Sequence, residues 1–261
     1  TIDVRTVKKQ KILELIDNDS FTVHFQSVFS ARGGSVYGCE SLARIKEDSL
    51  INIGGLFKDA IATGIISLVD VICRENAMKE AASQGINQSG LYLFINVCPE
   101  TLIVPAHRLG ITDELAERYC IQKEKIILEL TEETAIKDYL FFKETVAYYR
   151  RRGYKIAIDD FGSGYGSLKM LSIIEPDFVK IDRYFISNID SETVKLNLVD
   201  SIATACHRMG IKVIAEGIET GEELNAVSGV GVELLQGYYL SRPSPDLDKD
   251  IVRTMCLGVC K

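Results

Sequence analysis

The sequence predicts an α/β protein, a modified TIM-type (β/α)8 barrel with an antiparallel first strand pair. Three observations support this prediction. Short, continuously apolar runs alternate with longer amphipathic ones along most of the 261 residues, a pattern typical of a parallel sheet covered by helices. About eight such units in a chain of this length match the size of a (β/α)8 barrel. The first two strands flank a Gly-Gly turn, which is typical of a hairpin.

The predicted elements can be assigned in order along the chain. The strands share short runs of apolar residues and are expected at 22–29, 91–97, 126–130, 155–159, 177–182, 212–216 and 233–240, with a further hairpin strand after Gly33-Gly34. Apolar residues at helical spacing precede Gly153 and Gly210, which are expected to end two of the helices. We expect one domain over 1–261, with an N-terminal helix over 1–20 and a C-terminal helix over 246–261. The chain begins without Met, as expected of a segment excised from a longer protein.

The composition excludes several classes of protein. Lys and Arg total 30 against 37 Asp and Glu, a formal net charge of -7, so no extended nucleic-acid surface is expected. No apolar run approaches the roughly 18 residues that cross a bilayer, and no signal-peptide pattern opens the chain. We therefore expect no direct membrane contact from this segment. Seven cysteines without paired spacing indicate reduced thiols in a cytoplasmic protein, whose parent could be membrane-anchored. The three scattered histidines do not support zinc chemistry.

Polar residues end most of the predicted strands. They are Asn96, Glu129 with Glu132, Asp159 with Asp160, Lys180 with Asp182, Glu216, and Gln236. In a parallel barrel the carboxyl ends of the strands share one face, where active sites are built. Each residue alone has a simpler interpretation, since an Asp after a strand is often a helix N-cap and Glu219 favours the start of a helix. Their combination on one face is what indicates a functional site.

Seven carboxylates are expected to converge on this face. They are Glu40, Glu129, Glu132, Asp159, Asp160, Glu216 and Glu219. Without cations they would repel one another and several would protonate. Oxygen ligands without Cys or His favour Mg²⁺ or Mn²⁺, and the adjacent Asp pair suits two cations about 4 Å apart, as in phosphoryl hydrolysis. The residues alone therefore predict a two-metal hydrolase. The Gly-rich run 161–168 is interpreted as a loop that positions the Asp pair.

A series of motifs runs in one order from Gln26 to Pro243. It comprises Glu40-Ser41-Leu42 with Arg44, Asn96, Glu129 with Glu132, DDFGSGYGSL over 159–168, Lys180 to Asp182, EGIET over 216–220 and QGYYLSRP over 236–243. This series resembles the motifs of the EAL-domain phosphodiesterases, which hydrolyse the bacterial second messenger cyclic di-GMP. The resemblance covers nearly the whole chain.

The resemblance implies a role for each motif residue. Two divalent cations, Mg²⁺ or Mn²⁺, would be held by Glu40, Asn96, Glu129, Asp159, Asp160 and Glu216. The residues implied in activating the water that opens cyclic di-GMP to linear pGpG are Lys180, Gln236 and Glu216. Substrate contacts are implied for Gln26, Leu42, Arg44 and Asp182. Glu132 and Glu219 would hold the loop 161–168 in its active shape. By analogy with the family, a homodimer is also expected.

Four positions depart from the family's pattern. Ser41 replaces an Ala, Ser27 a Pro, Cys98 a Ser, and Gly166 a Ser whose hydroxyl is expected to meet Glu132. Every implied metal ligand is present, which favours an active enzyme. The Gly166 departure adds backbone freedom and leaves open a catalytically weak or silent cyclic di-GMP receptor module that signals to a partner. A third alternative is a metal-dependent enzyme of enolase type that acts on carboxylates.

Overall fold

The computed structural model describes residues 3–46, 52–102, 110–131, 139–164 and 167–247. The strands are β1 (Phe21–Ser30), β2 (Val36–Ile45), β3 (Tyr92–Val97), β4 (Ile126–Thr131), β5 (Lys155–Phe161), β6 (Phe178–Ile181), β7 (Lys212–Ala215) and β8 (Leu234–Leu235). The helices are α1 (Val4–Asp17), α2 (Ile53–Thr63), α3 (Ile66–Ser83), α4 (Ile86–Ser89), α5 (Pro99–Leu102), α6 (Ile111–Arg118), α7 (Tyr139–Arg151), α8 (Ser167–Ile174), α9 (Arg183–Ile186), α10 (Thr193–Arg208) and α11 (Gly221–Gly229), with a 3-10 turn at Lys123–Lys125. Glu132, Gly166 and most of the predicted helix 246–261 lie outside the described residues.

The eight strands close into one barrel in sequence order, from β1 to β8. β1 runs antiparallel to both of its neighbours, β2 and β8, and every other neighbouring pair is parallel. The predicted barrel with an antiparallel first strand pair is confirmed. The reversal is confined to β1, because β2 already runs parallel to β3.

The last predicted strand is shorter in the structure than the sequence indicates. A strand was expected over 233–240, but the ladder between β7 and β8 includes only Leu234 and Leu235 of that range. The chain then turns, and the N–H groups of Leu240 and Ser241 both donate to the carbonyl oxygen of Gly237 at 3.0 Å. The aromatic pair that follows Gly237 suggested a strand, but local turn hydrogen bonds replace the ladder there.

A small apolar cluster fills the inside of the barrel. Its members come one each from seven strands and are Val28, Phe94, Ile127, Ala157, Phe178, Ile214 and Leu234. A larger core lies between the outer face of the strands and the helices. Because side chains alternate between the two faces of a strand, the next inward position on each strand is two residues away. That position is where the site forms.

Two further features of the fold concern the helices and the cysteines. None of the described helices combines the length and the apolar character needed to cross a bilayer. The five described cysteines are thiols that are not joined by disulfides, and two of them, Cys39 and Cys206, are buried. Cys120 is exposed and adopts a positive φ of 54°.

Candidate active site

A ring of polar side chains lies one pleat above the apolar cluster, at the open face of the barrel. Its members are Gln26, Glu40, Asn96, Glu129, Asp159, Lys180, Glu216 and Gln236. Six of them follow an apolar cluster residue by two positions, for example Asn96 after Phe94 and Lys180 after Phe178. Gln26 precedes Val28 by two positions, because β1 runs in the opposite direction. The period-two alternation of the strands therefore builds the ring.

Lys180 lies at the centre of the ring and is 1% exposed. Its Nζ lies within ion-pair distance of four carboxylates, namely Glu129 Oε1 and Glu216 Oε1 at 2.8 Å, Asp159 Oδ1 at 2.9 Å and Glu40 Oε2 at 3.2 Å. One ammonium thus faces four carboxylates with side chains that are at most 15% exposed. Such a cluster is stable only if protons or further cations neutralise it.

Amide side chains hold Glu40 in place. Asn96 Nδ2 donates to Oε1 of Glu40 at 3.2 Å, and Gln236 Nε2 donates to Oε2 at 2.7 Å. Gln236 Nε2 also lies 3.4 Å from Oε1 of Gln26, whose own Nε2 donates to the carbonyl oxygen of Ser241 at 3.1 Å. This chain of hydrogen bonds fixes the orientation of the carboxylate from both sides.

A bulge in β5 places two consecutive carboxylates at the open face. In a regular strand the side chains of Asp159 and Asp160 would point to opposite faces of the sheet. The register with β6 shifts between Ile158 and Phe161, and Asp160 adopts a left-handed φ of 52°, a conformation that Asp tolerates better than most residues. As a result both carboxylates can approach Glu216.

Burial and mutual repulsion perturb the acids of the ring. Burial, followed by the charge of Glu40, raises the pKa of Glu129 well above its usual range, and burial likewise raises the pKa of Glu216. Burial also acts to raise the pKa of Glu40, but the charge of Lys180 and the hydrogen bonds from amides outweigh it, so that pKa is lowered. Burial acts to lower the pKa of Lys180, yet the surrounding carboxylates outweigh it and the pKa is raised well above its ordinary value. The raised pKa values indicate that the ring has more carboxylates than it can keep ionised unless cations are bound.

The donor set fits a pair of divalent cations. Carboxylate oxygens form two groups, Glu40–Glu129–Asp159 and Asp159–Asp160–Glu216, and within each group the oxygens lie within 4.8 Å of one another. Asp159 belongs to both groups. Oε2 of Glu129 is buried without a hydrogen-bond donor among the described residues, while Oε1 of Glu129 and Oδ1 of Asp159 face the ammonium of Lys180 at 2.8 and 2.9 Å. Five carboxylates and one ammonium carry a formal charge of about -4, which two dications would neutralise.

A cavity of about 530 Å³ opens beside this ring. Leu42, Arg44 and Asn96 line it on the side of the ring, and apolar residues of α2, including Phe57, line the opposite wall. Nη1 of Arg44 donates to the carbonyl oxygen of Ala43 at 2.9 Å. The cavity thus combines mostly apolar walls with the guanidinium of Arg44 and the amide of Asn96.

Asp182 and Glu219 are predicted site residues that lie neither in the ring nor in the lining of this cavity. Asp182 caps the short helix α9, where its Oδ1 accepts from the N–H of Tyr184 at 2.8 Å. Glu219 forms an ion pair with Arg183, with Oε1 2.8 Å from Nη2, and its side chain is 40% exposed. Of the seven carboxylates expected to converge, the structure brings five together, and Glu132 lies outside the described residues.

Ser41 shows how one departure from the family's pattern is accommodated. Its side chain is buried, and its Oγ donates to the carbonyl oxygen of Phe94 at 2.9 Å. Phe94 is the register partner of Glu40 across β2 and β3. The hydroxyl therefore adds a hydrogen bond between these strands and leaves Glu40 in place.

A buried ion pair behind β3 was missed at the level of sequence. Asp70 and Arg74, one turn apart on α3, form a salt bridge and are 2% and 1% exposed. Asp70 Oδ1 accepts from the N–H of Cys98 at 2.9 Å, and Arg74 Nη1 donates to the hydroxyl of Thr112 at 2.6 Å. The pair thereby fixes the turn that follows Asn96. Its only sequence signal is an acid and a base four residues apart among apolar neighbours.

Comparison with known proteins places the chain in a family. The model of the EAL domain matches residues 9–243. The Escherichia coli (strain K12) protein named "Probable cyclic di-GMP phosphodiesterase PdeN" is 32% identical over 260 residues, which is 97% of this chain and 48% of that protein. The chain therefore spans less than half the length of this relative.

Solved structures show the same architecture. The EAL enzyme Bd1971, in its cAMP- and cyclic-di-GMP-bound form, has a TM-score of 0.83 at 25% identity, covering 92% of this chain and 66% of that one. The manganese and cyclic di-GMP complex of Klebsiella pneumoniae BlrP1 has a TM-score of 0.78 at 28% identity, covering 86% of this chain and 56% of that one. With the barrel, the ring and the family match in agreement, the chain belongs to the EAL domain family.

Proposed function

We propose that this chain is the catalytic domain of a metal-dependent phosphodiesterase that hydrolyses cyclic di-GMP to linear pGpG. The observation that carries the proposal is the ring together with the adjoining Asp160, where two groups of carboxylates share Asp159 beside one ammonium. Two cations about 4 Å apart are the arrangement that serves phosphodiester hydrolysis. Relatives named as cyclic di-GMP phosphodiesterases and a relative solved with manganese and cyclic di-GMP support the same substrate and cofactor class.

The chain would hold two dications, Mg²⁺ or Mn²⁺, through the ring and the Asp pair. The proposed ligands are Glu40, Asn96, Glu129, Asp159, Asp160 and Glu216. When bound, the cations would lower the pKa of a nearby water and offset the charge of the phosphodiester. The protein's part is to keep these oxygens close together and buried, which the bulge in β5 and the amides around Glu40 accomplish.

Lys180 is proposed as the residue that orients or deprotonates the attacking water, with Gln236 and Glu216 beside it. Its ammonium is held in the centre of the ring by four carboxylates, which keep it protonated. Cations bound to those carboxylates would withdraw this stabilisation and bring the pKa of Lys180 down, where it can exchange a proton. The water oxygen would form a bond to phosphorus in line with the departing 3′-oxygen, whose own bond to phosphorus would break. The cyclic dinucleotide would thereby open to linear pGpG.

Substrate binding is proposed across the open face of the barrel, next to the ring. The residues assigned to it are Gln26, Leu42, Arg44 and Asp182. The guanidinium of Arg44 suits a phosphate, since it presents a fixed fork of donors. The cavity of about 530 Å³ beside Leu42 and Arg44 has apolar walls and a volume sufficient for a nucleobase. Glu132 and Glu219 are proposed to position the loop 161–168.

The proposal also covers the parent protein of the domain, its cellular location and its assembly. We propose a single domain over 1–261 within a longer cytoplasmic protein that could be anchored to a membrane elsewhere, and a homodimer as the assembly. The span of 48% of the relative PdeN is consistent with a longer parent protein. The dimer rests on the family resemblance.

A product assay tests the proposal. The chain is incubated with cyclic di-GMP and Mn²⁺, and the products are separated by chromatography. We expect linear pGpG that disappears when EDTA is added. Binding of cyclic di-GMP without any pGpG would contradict the enzyme and favour a silent receptor. Failure to bind cyclic di-GMP would contradict both and favour an enzyme acting on another substrate.

A further inference from the structure

The short helix α9 lies between two loops that carry site residues. It directly follows β6, the strand that carries Lys180. On one side it meets Gly162 in the turn after β5, two residues beyond Asp160, and on the other side it meets Gly217 in the turn after β7, next to Glu216. Each contact is made by one side chain of α9 against a glycine in a left-handed conformation.

Phe185 packs against the turn after the Asp pair. Gly162, two residues after Asp160, has a φ of 100°, and a Cβ at this position would collide with the ring of Phe185. The aromatic ring of Phe185 therefore packs directly against the backbone of Gly162. The same turn is closed by the N–H of Ser163, which donates to the carbonyl oxygen of Asp160 at 3.0 Å. Phe185 thus occupies the space beside Gly162 and constrains the direction in which the chain leaves β5.

Arg183 packs against the turn after Glu216. Gly217 has a φ of 69°, and a Cβ there would lie 2.5 Å from Cγ of Arg183. Beyond this contact, Nη2 of Arg183 pairs with Oε1 of Glu219 at 2.8 Å. The aliphatic stem and the guanidinium therefore hold two successive parts of one turn.

Glu223 ties the same turn to the chain that follows α9. Its side chain is 5% exposed. Oε2 accepts from the N–H groups of Glu219 and Thr220 at 2.7 and 3.2 Å, and Oε1 accepts from the N–H of Asn188 at 2.9 Å. Three backbone donors from two loops thus converge on one buried carboxylate, which makes the position of α9 relative to the β7 turn well defined.

We propose that Phe185 and Arg183 are positioning residues for the cation group Asp159–Asp160–Glu216. This inference rests on the proposed function, which places a cation there. Two of the three carboxylates in the group adjoin the glycine turns that α9 supports, whereas Glu40 and Glu129 of the other group are carried by β2 and β4. Loss of either side chain would loosen one cation group and leave the other intact.

The test is a titration with Mn²⁺ in which free Mn²⁺ is measured by electron paramagnetic resonance. We expect two bound ions in the wild-type chain. In Phe185→Ala we expect one ion with unchanged affinity and one that binds about tenfold more weakly, the lower end of the range for residues that support ligands. Its kcat should fall at low Mn²⁺ and recover at excess Mn²⁺, while KM for cyclic di-GMP stays unchanged. Two ions bound with wild-type affinity would overturn the inference.

Two further variants separate positioning from general stability. Ile12→Ala truncates a side chain of α1 that is 3% exposed and belongs to an apolar cluster without site residues, so it lowers stability but should leave both Mn²⁺ affinities unchanged; an equal loss would overturn the inference. Arg183→Ala removes both the stem beyond Cβ and the guanidinium of a side chain that is 57% exposed, and it should weaken the same ion by about threefold, in line with the small free energy of an exposed ion pair. Unchanged binding in that variant would overturn the role of Arg183. A wild-type chain that binds no Mn²⁺ would instead overturn the proposed function together with this inference.

Discussion

Replacing Lys180 by Met separates the structural role of the ammonium from its role in chemistry. Met has a similar length but carries no charge. In the absence of cations the four carboxylates around Nζ would lose the one ammonium that contacts all of them in the described structure. With Mn²⁺ bound, the same carboxylates would be neutralised independently of Lys180. We therefore expect a large stability loss in EDTA and a small one in Mn²⁺.

The size of this effect follows from the burial of the ring. Removing one partner of a buried ion pair destabilises a protein by about 3–5 kcal/mol. Because the pKa values of Glu129 and Glu216 are already raised, these groups can take up protons and offset part of the loss, which leaves about 3 kcal/mol. For a chain of this size each kcal/mol shifts Tm by about 2–4 °C. We expect a decrease in Tm of about 6–12 °C in EDTA.

Thermal denaturation in EDTA and in Mn²⁺, together with the product assay, measures both roles. Loss of the group that orients or deprotonates water should lower kcat by about 10²- to 10⁴-fold, even in Mn²⁺, where stability is restored. Lys8→Met is the matched control, because Lys8 forms an exposed ion pair with Asp59 that contributes at most about 1 kcal/mol. Full activity of Lys180→Met would refute its assignment, and an equal Tm decrease in both buffers would refute the electrostatic reasoning.

Three further predictions address the rest of the site. Without cations, the raised pKa values of Glu129 and Glu216 mean that the folded chain holds protons that the unfolded chain releases above its ordinary Glu pKa. Stability in EDTA, measured as Tm, should therefore fall as the pH rises above about 5, and Mn²⁺ should flatten this slope. Arg74→Met should lower the free energy of unfolding by about 3–5 kcal/mol in urea denaturation, whereas the double variant with Asp70→Leu should lose clearly less; equal losses would contradict the assigned ion pair. Glu223→Gln should lower Tm through a loss of about 2 kcal/mol, because a buried acceptor of three N–H groups is weakened; an unchanged Tm would contradict that role.

The barrel and most of the ring could be predicted from sequence because both follow from simple periodicity. Apolar runs mark the strands, and a polar residue two positions after an apolar interior residue points into the same barrel. Asn96 after Phe94 and Lys180 after Phe178 are examples. Since parallel strands end on one face, the polar ends of separate strands could be placed together without knowledge of the register.

The remaining features depend on contacts that periodicity does not encode. Nothing in the sequence around Asp160 signals the left-handed φ that brings it beside Asp159. The packing of Phe185 against Gly162 joins residues from two different loops, and each residue alone resembles ordinary loop or helix sequence. The strand predicted over 233–240 is longer than the observed β8, because Gly237 starts a turn. The local hydrogen bonds of this turn override the strand preference of the tyrosines that follow.

The number of Mn²⁺ ions bound per chain tests the two-cation centre most directly. Because Asp159 belongs to both groups and Asp160 to one, equilibrium dialysis should give two ions for the wild-type chain, one for Asp160→Asn and fewer than one for Asp159→Asn. A wild-type chain that binds no Mn²⁺, or an Asp159→Asn variant that still binds two ions, would contradict a centre built on a shared carboxylate.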